Sequence, residues 1–160
     1  MPEYLYHFTS LNHVNEILES GYLRLTPSNL IEPKDAKPGI DLETGNTTIV
    51  SAMSDHVKPV VWLTAEGSVP VNQAKAHGLN GLKTVIKCKI PMKSDYLWWH
   101  KWSDDNRMKT SWKKRFTRNT SYSTWYICEH RIPLEDVELI ENTLTGEIYW
   151  EAATQKKTFA

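Results

Sequence analysis

The chain has 160 residues with 19 basic and 19 acidic side chains, so its formal net charge is zero. This length predicts one domain, spanning 1–160, with a buried core, and the neutral charge provides no overall field that would draw the chain to nucleic acid or to a membrane. No segment approaches the ~20 consecutive apolar residues of a membrane span, and the N-terminus lacks a basic and apolar leader. A soluble, cytoplasmic protein is therefore expected.

The first predicted element is a strand near the N-terminus whose side chains alternate between two faces. Leu5, His7 and Thr9 share one face of this strand. The other face carries three aromatic rings: Tyr4, Tyr6 and Phe8. A histidine and a threonine two residues apart on one face can form one wall of a polar cleft.

A helix and a second short strand follow directly. Apolar residues recur at helical spacing: Leu11, Val14, Ile17 and Leu18. Ser10 is expected as the N-cap, and Gly21 as the left-handed residue that ends the helix. The run 22–26 then reads as a strand that closes before Pro27.

Residues 28–59 are rich in proline, glycine and polar side chains, and predict a long loop with one short helix around Thr48–His56. A loop of this length in a compact domain is often functional, for example as a lid over a site. A short helix is expected at Val71–His77. Further strands are expected at five places: Val60–Thr64, Lys83–Ile90, Ser123–Ile132, Val137–Glu141 and Gly146–Trp150.

The two cysteines, Cys88 and Cys128, lie in apolar strand-like runs and are expected as buried, reduced thiols. The histidines other than His7 lie on separate segments without metal-ligand spacing, so no metal site is predicted.

A segment over 92–122 mixes tryptophans with basic residues. Aromatic and basic residues in alternation suit single-stranded nucleic acid, because bases stack on indoles and phosphates bind cations. The alternative is a solvated helix face whose tryptophans belong to the core. The candidate nucleic-acid-binding residues are Lys109, Lys113, Lys114, Arg115 and Arg118.

Glu129 is the most informative acidic residue, because it follows Trp125 and Ile127 on the same face of the predicted strand Ser123–Ile132. A carboxylate buried among apolar side chains is costly unless it has a partner or a function. The alternative is an ion pair with Arg131 at an exposed edge of the sheet.

These residues support a resemblance to a known superfamily. The run Tyr6-His-Phe-Thr-Ser, followed by Ile17-Leu-Glu-Ser-Gly-Tyr-Leu, resembles the first strand and helix of the ADP-ribosyltransferase fold. The chain is most similar to DarT-type enzymes, which ADP-ribosylate DNA, and more loosely to poly-ADP-ribose polymerases and RNA 2′-phosphotransferases. Three positions follow the superfamily order: His7, Trp62 and Glu129. The resemblance implies an α+β fold with a split antiparallel β-sheet core, peripheral helices and a cleft between the sheets.

The resemblance also implies NAD as a co-substrate bound in that cleft. His7 and Thr9 would contact a ribose hydroxyl. Trp62 would stack on the nicotinamide ring, with Thr64 on the same face. Glu129 would be the catalytic carboxylate, stabilising the cation that forms when the nicotinamide–ribose bond breaks. A further candidate for binding a phosphate of the dinucleotide is Arg24.

The expected function is NAD-dependent mono-ADP-ribosyl transfer to nucleic acid or protein, in a toxin, phage or defence setting that rests on family analogy alone. One alternative is a non-catalytic module that binds a nucleotide or nucleic acid on the same fold. It is favoured by Phe8, which stands where many polymerase-type members of the superfamily have glycine. The other alternative is an RNA 2′-phosphotransferase, which Glu129 disfavours because those relatives lack the late glutamate.

Overall fold

The computed structural model of the chain describes residues 2–25, 36–40, 47–51, 60–68, 85–105 and 124–160. The helices in this part of the chain are α1 (Val14–Ser20) and α2 (Trp99–Asp105). The strands are β1 (Tyr4–Thr9), β2 (Tyr22–Leu23), β3 (Ala36–Ile40), β4 (Thr47–Ser51), β5 (Val61–Thr64), β6 (Ile86–Pro91), β7 (Leu97–Trp98), β8 (Trp125–Cys128), β9 (Ile132–Pro133), β10 (Leu139–Asn142), β11 (Ile148–Glu151) and β12 (Lys156–Lys157).

Eight of these strands form one sheet in the order β12-β11-β10-β6-β1-β5-β8-β7, and every described neighbouring pair is antiparallel. Two small ladders, β2–β9 and β3–β4, are also antiparallel. Helices and antiparallel strands together make an α+β architecture, which confirms the predicted fold at this level.

The pairing of β1 is unequal on its two sides. All six residues of β1 pair with β6, from Tyr4 opposite Pro91 to Thr9 opposite Ile86. On the other side the β1–β5 ladder has a single pair, Tyr6 opposite Thr64. We call this contact the β1–β5 junction. It joins a part of five strands, β12 to β1, to a part of three strands, β5, β8 and β7.

The two faces of the sheet are covered by different helices. One face carries buried side chains such as Leu5, Val61 and Cys88, which form one apolar cluster with Ile17 and Leu18 of α1. We call this the α1 face. The opposite face carries a second cluster in which α2 packs on β5 and β8, and we call it the α2 face. The buried members of this second cluster are Val60, Trp99, Trp102, Trp125 and Ile127.

Helix α1 follows β1 after a 3₁₀ turn at Leu11–His13. Gly21 ends it with φ of 80°, in the left-handed region predicted from the sequence, and its N–H bonds the carbonyl of Ile17. Ser10 is the N-cap residue of this 3₁₀ turn, as predicted, but its side chain makes no capping hydrogen bond.

Two predictions need correction. The helix expected around Thr48–His56 is wrong where its residues are described, because β4 covers Thr47–Ser51 and pairs with β3. The run Thr47-Thr-Ile-Val is β-branched throughout, which favours an extended backbone. The strand expected over Ser123–Ile132 is interrupted, because β8 ends at Cys128 and β9 begins at Ile132. The helix expected at Val71–His77 lies outside the described residues.

Candidate functional site

His7 lies at the β1–β5 junction. Its Nδ1 is 2.9 Å from the backbone carbonyl oxygen of Trp62. Because a carbonyl only accepts hydrogen bonds, Nδ1 carries the proton and donates it. Burial lowers the pKa of His7 below its usual 6.5, and this effect exceeds the opposing effect of the hydrogen bond to Trp62. His7 is therefore neutral at pH 7, and its other ring nitrogen, Nε2, is an acceptor.

Thr9 shares the α1 face with His7, since their neighbours on β6 are Ile86 and Cys88. Its Oγ1 lies 2.8 Å from Nδ1 of His13, in the 3₁₀ turn that follows β1. Thr9 is buried, so this hydroxyl is held between the strand and the turn. The structure thus adds His13 to the residues near His7, and its charge contributes to the lowered pKa of His7.

Trp62 does not share a face with His7. The register of β5 and β8 pairs Trp62 with Ile127, and its ring packs on Trp125 with the centroids 5.8 Å apart. These contacts place the Trp62 side chain on the α2 face, whereas His7 belongs to the α1 face. The resemblance implies that His7, Trp62 and Glu129 line one cleft, and this register does not bring the side chains of His7 and Trp62 together. Trp62 reaches His7 through its backbone carbonyl, which orients the imidazole.

Thr64 and Arg24 have structural partners. The Thr64 hydroxyl accepts a hydrogen bond from the N–H of Glu66 at 3.1 Å and contacts the hydroxyl of Thr124 at 3.4 Å. Arg24 forms an ion pair with Glu16 of α1. Among the described residues, the recorded contacts of Thr64 and Arg24 do not include His7. Their predicted binding roles therefore stay predictions.

Glu129 lies directly after β8 and is exposed, whereas the sequence predicted a strand residue in an apolar setting. Its Oε1 accepts a 2.7 Å hydrogen bond from the indole N–H of Trp102 in α2. The Arg131 guanidinium, the alternative partner of Glu129, lies 4.2 Å from the centroid of the Tyr22 ring. The indole donor therefore fixes one carboxylate oxygen of Glu129.

The strand register relates Glu129 to His7. The imidazole of His7 touches the carbonyl of Trp62, and Trp62 is opposite Ile127, two residues before Glu129. One strand spacing and two residues along the strand correspond to on the order of 10 Å between the backbone at Trp62 and at Glu129. This spacing concerns the backbone alone: the Glu129 carboxylate bonds Trp102 of the α2 face, whereas the His7 imidazole lies on the α1 face, so the two side chains are on opposite faces of the sheet.

Sequence reasoning missed two participants in this arrangement. His13 is four residues after Thr9, and a strand that passes at once into a turn brings such a residue back over the strand end. No local pattern in the sequence pairs Trp102 with Glu129, because the two residues are far apart along the chain. The residues between α2 and β8 include 106–123, which lie outside the described residues. The five basic candidates, Lys109, Lys113, Lys114, Arg115 and Arg118, also lie in that range.

Comparisons with known proteins add no family assignment: no protein-family model matches the chain, and no curated protein matches it significantly. Within the described residues, no helix is long and apolar enough to cross a membrane. The same residues contain no cluster of three or more histidine, cysteine or acidic side chains arranged to hold a metal ion.

Proposed function

We propose that the chain is an NAD-dependent mono-ADP-ribosyltransferase. The observation that carries the proposal is His7, a neutral imidazole held in one tautomer at the β1–β5 junction. A fixed acceptor nitrogen suits a ribose hydroxyl, which can donate a hydrogen bond to it. The carbonyl of Trp62 supplies the orientation, so that the ring does not have to be ordered when the ligand binds.

Glu129 supplies the second part of the proposal. In the transfer, the bond between the nicotinamide nitrogen and the ribose C1′ breaks, and nicotinamide leaves with the bonding electron pair. A new bond forms between C1′ and an oxygen or nitrogen of the acceptor, which loses its proton to a base. The carboxylate of Glu129, held by Trp102, stabilises the positive charge on the ribose or accepts that proton.

The decisive experiment measures nicotinamide release from labelled NAD, with NAD binding measured separately by calorimetry. Glu129→Gln keeps the size of the side chain and removes its charge, and we expect a loss of about 10²–10³-fold in rate with binding largely retained. Glu135→Gln is the matched control, since Glu135 is another exposed glutamate on a nearby 3₁₀ turn and should have no effect. Absence of NAD binding to the wild-type protein would contradict the proposal.

The acceptor is proposed as nucleic acid or protein, and label from NAD separates the two. Transfer to single-stranded DNA or RNA should weaken steeply with salt, because phosphate contacts release counterions. Transfer to protein that does not depend on salt would remove nucleic acid as the acceptor.

A second candidate function is a module that binds a nucleotide without chemistry. Two observations favour it: the Trp62 side chain faces away from His7, and Glu129 lies beyond the end of β8. This alternative predicts that the wild-type protein binds NAD, that no nicotinamide is released, and that Glu129→Gln changes neither result.

A further inference from the structure

The turn that carries Glu129 is tied to three different elements by three successive side chains. Glu129 accepts from the indole of Trp102 in α2. His130 contacts Asp95, in the turn before β7, with 2.7 Å between Nε2 and Oδ2. Arg131 stacks over the ring of Tyr22 in β2. All three side chains are exposed, and yet each has a partner, so the turn is held in one position although water reaches it.

His130 is the member of this turn that can change charge near neutral pH. Its Nε2 points to a carboxylate oxygen of Asp95, and its Nδ1 lies 2.9 Å from the carbonyl oxygen of Arg131. Both partners are acceptors, so both ring nitrogens donate, and an imidazole that donates twice is a protonated imidazolium. The hydrogen bond to the Arg131 carbonyl, followed by that to Asp95, raises the pKa of His130 above its usual 6.5.

The surroundings of His130 agree with a positive charge there. The hydrogen bond from His130 also lowers the pKa of Asp95, so the pair is ionised on both sides. Beside it, Lys93 and Asp136 form a second ion pair at 2.7 Å, which joins the same two chain segments. The charged groups around the imidazole are Asp95 and Lys93 before β7, Asp136 in the 3₁₀ turn, and Glu129 and Arg131 in its own turn.

We infer that His130 is a positioning residue for Glu129. Its hydrogen bond to Asp95, which we call the His130 clasp, holds the turn so that the Glu129 carboxylate keeps its hydrogen bond with the indole of Trp102. The inference rests on the proposed role of Glu129. Because the pKa of His130 is raised on folding, both hydrogen bonds and the charge are present below pH 6.5. As the pH rises through the folded-state value, the ring loses its charge and one of its two donors, which weakens the clasp. Transfer should therefore be better supported in mildly acidic solution than in alkaline solution.

The first arm of the test needs no NAD. In ¹⁵N-labelled protein, the indole N–H resonance of Trp102 is identified by its absence from Trp102→Phe. From about pH 6 to about pH 9, this resonance should shift with the same midpoint as the His130 ring. In His130→Gln and in Asp95→Asn that shift should disappear. An indole resonance that does not move in the wild-type protein, or that moves equally in His130→Gln, would overturn the inference.

The matched control is Lys93→Gln, which breaks the neighbouring ion pair with Asp136 and leaves the His130 clasp intact. It should keep the pH-dependent shift of the Trp102 resonance. If Lys93→Gln abolishes the shift as fully as His130→Gln does, the effect is general loosening of the region, and the positioning role is wrong.

The second arm measures nicotinamide release. His130→Gln should be slower than the wild-type protein by about two- to fivefold at about pH 6, the range expected for an exposed ion pair, and the ratio should approach one at about pH 9. A constant ratio at all pH values would contradict the clasp. If neither the wild-type protein nor His130→Gln releases nicotinamide while the indole resonance still shifts with pH, the proposed function is contradicted. The positioning of Glu129 by His130 is then still supported.

Discussion

Replacing His7 by asparagine should remove a loss of stability that the wild-type protein suffers in mild acid. The folded protein resists protonation of His7, because burial lowers its pKa and because Nδ1 already donates to the Trp62 carbonyl. The unfolded chain takes up this proton near the ordinary pKa of 6.5. Asparagine is the chosen substitution because its amide can replace the Nδ1 donor and does not titrate.

The size of the effect follows from linkage. Below pH 6.5, the unfolded state binds up to one more proton at His7 than the folded state does, so the free energy of unfolding falls by up to about 1.4 kcal/mol per pH unit. Between about pH 6.5 and about pH 5 this amounts to at most about 2 kcal/mol. A domain of this kind is stable by about 5–15 kcal/mol, so the change is measurable.

The assay is urea unfolding followed by tryptophan fluorescence at several pH values. Carboxylates also titrate in acid, so the informative quantity is the difference between the wild-type protein and His7→Asn at each pH. This difference should change towards low pH by up to about 2 kcal/mol. His13→Asn is the control, because His13 is an exposed histidine in the adjacent turn, and it should retain most of the acid loss. Parallel curves for wild type and His7→Asn would refute the reasoning.

Two further predictions concern buried groups. Tyr96→Phe should raise the free energy of unfolding by about 1 kcal/mol, because the Tyr96 hydroxyl is buried without a hydrogen-bond partner among the described residues. Tyr149→Phe should lower the free energy of unfolding by about 1 kcal/mol, because it removes a hydroxyl that is hydrogen-bonded to Asn142 and Glu147. Equal changes in urea unfolding would contradict this. Burial raises the pKa of Cys88 to about 12 and also raises that of Cys128, so neither thiol should react with a maleimide at about pH 8 until urea unfolds the protein. Rapid labelling of the native protein would contradict this.

Local patterns in the sequence were sufficient for much of the fold. Alternation in β1, helical spacing in α1 and the left-handed Gly21 all reflect interactions within a few residues, and the structure agrees with them. The strand order had no local signal, because pairing of β1 with β6 and β5 joins segments far apart in sequence. The β4 strand was missed because turn-forming residues around it outweighed its β-branched run.

The candidate site was predictable only in part. The period-two alternation of strand side chains placed His7 and Thr9 on one face, and the pairing of β1 with β6 agrees with this placement. Whether Trp62 shares that face depends on the register between β1 and β5, and a shift of one residue moves a side chain to the other face. The exposure of Glu129 depends on where β8 ends, and strand ends are set by tertiary contacts such as the indole of Trp102.

The β1–β5 junction has a thermodynamic consequence for any ligand of His7. The Nδ1 of the imidazole donates a hydrogen bond across the junction to Trp62, and Nε2 is the nitrogen that a ligand would contact. Pairing of the two strands and binding of the ligand therefore depend on the same ring. Linkage is reciprocal: a ligand that binds only the closed junction must stabilise it, by an amount that grows with the logarithm of the ligand concentration. Slower hydrogen exchange of the strand amides next to Thr64 would then report occupancy of the site, even in a variant that performs no chemistry.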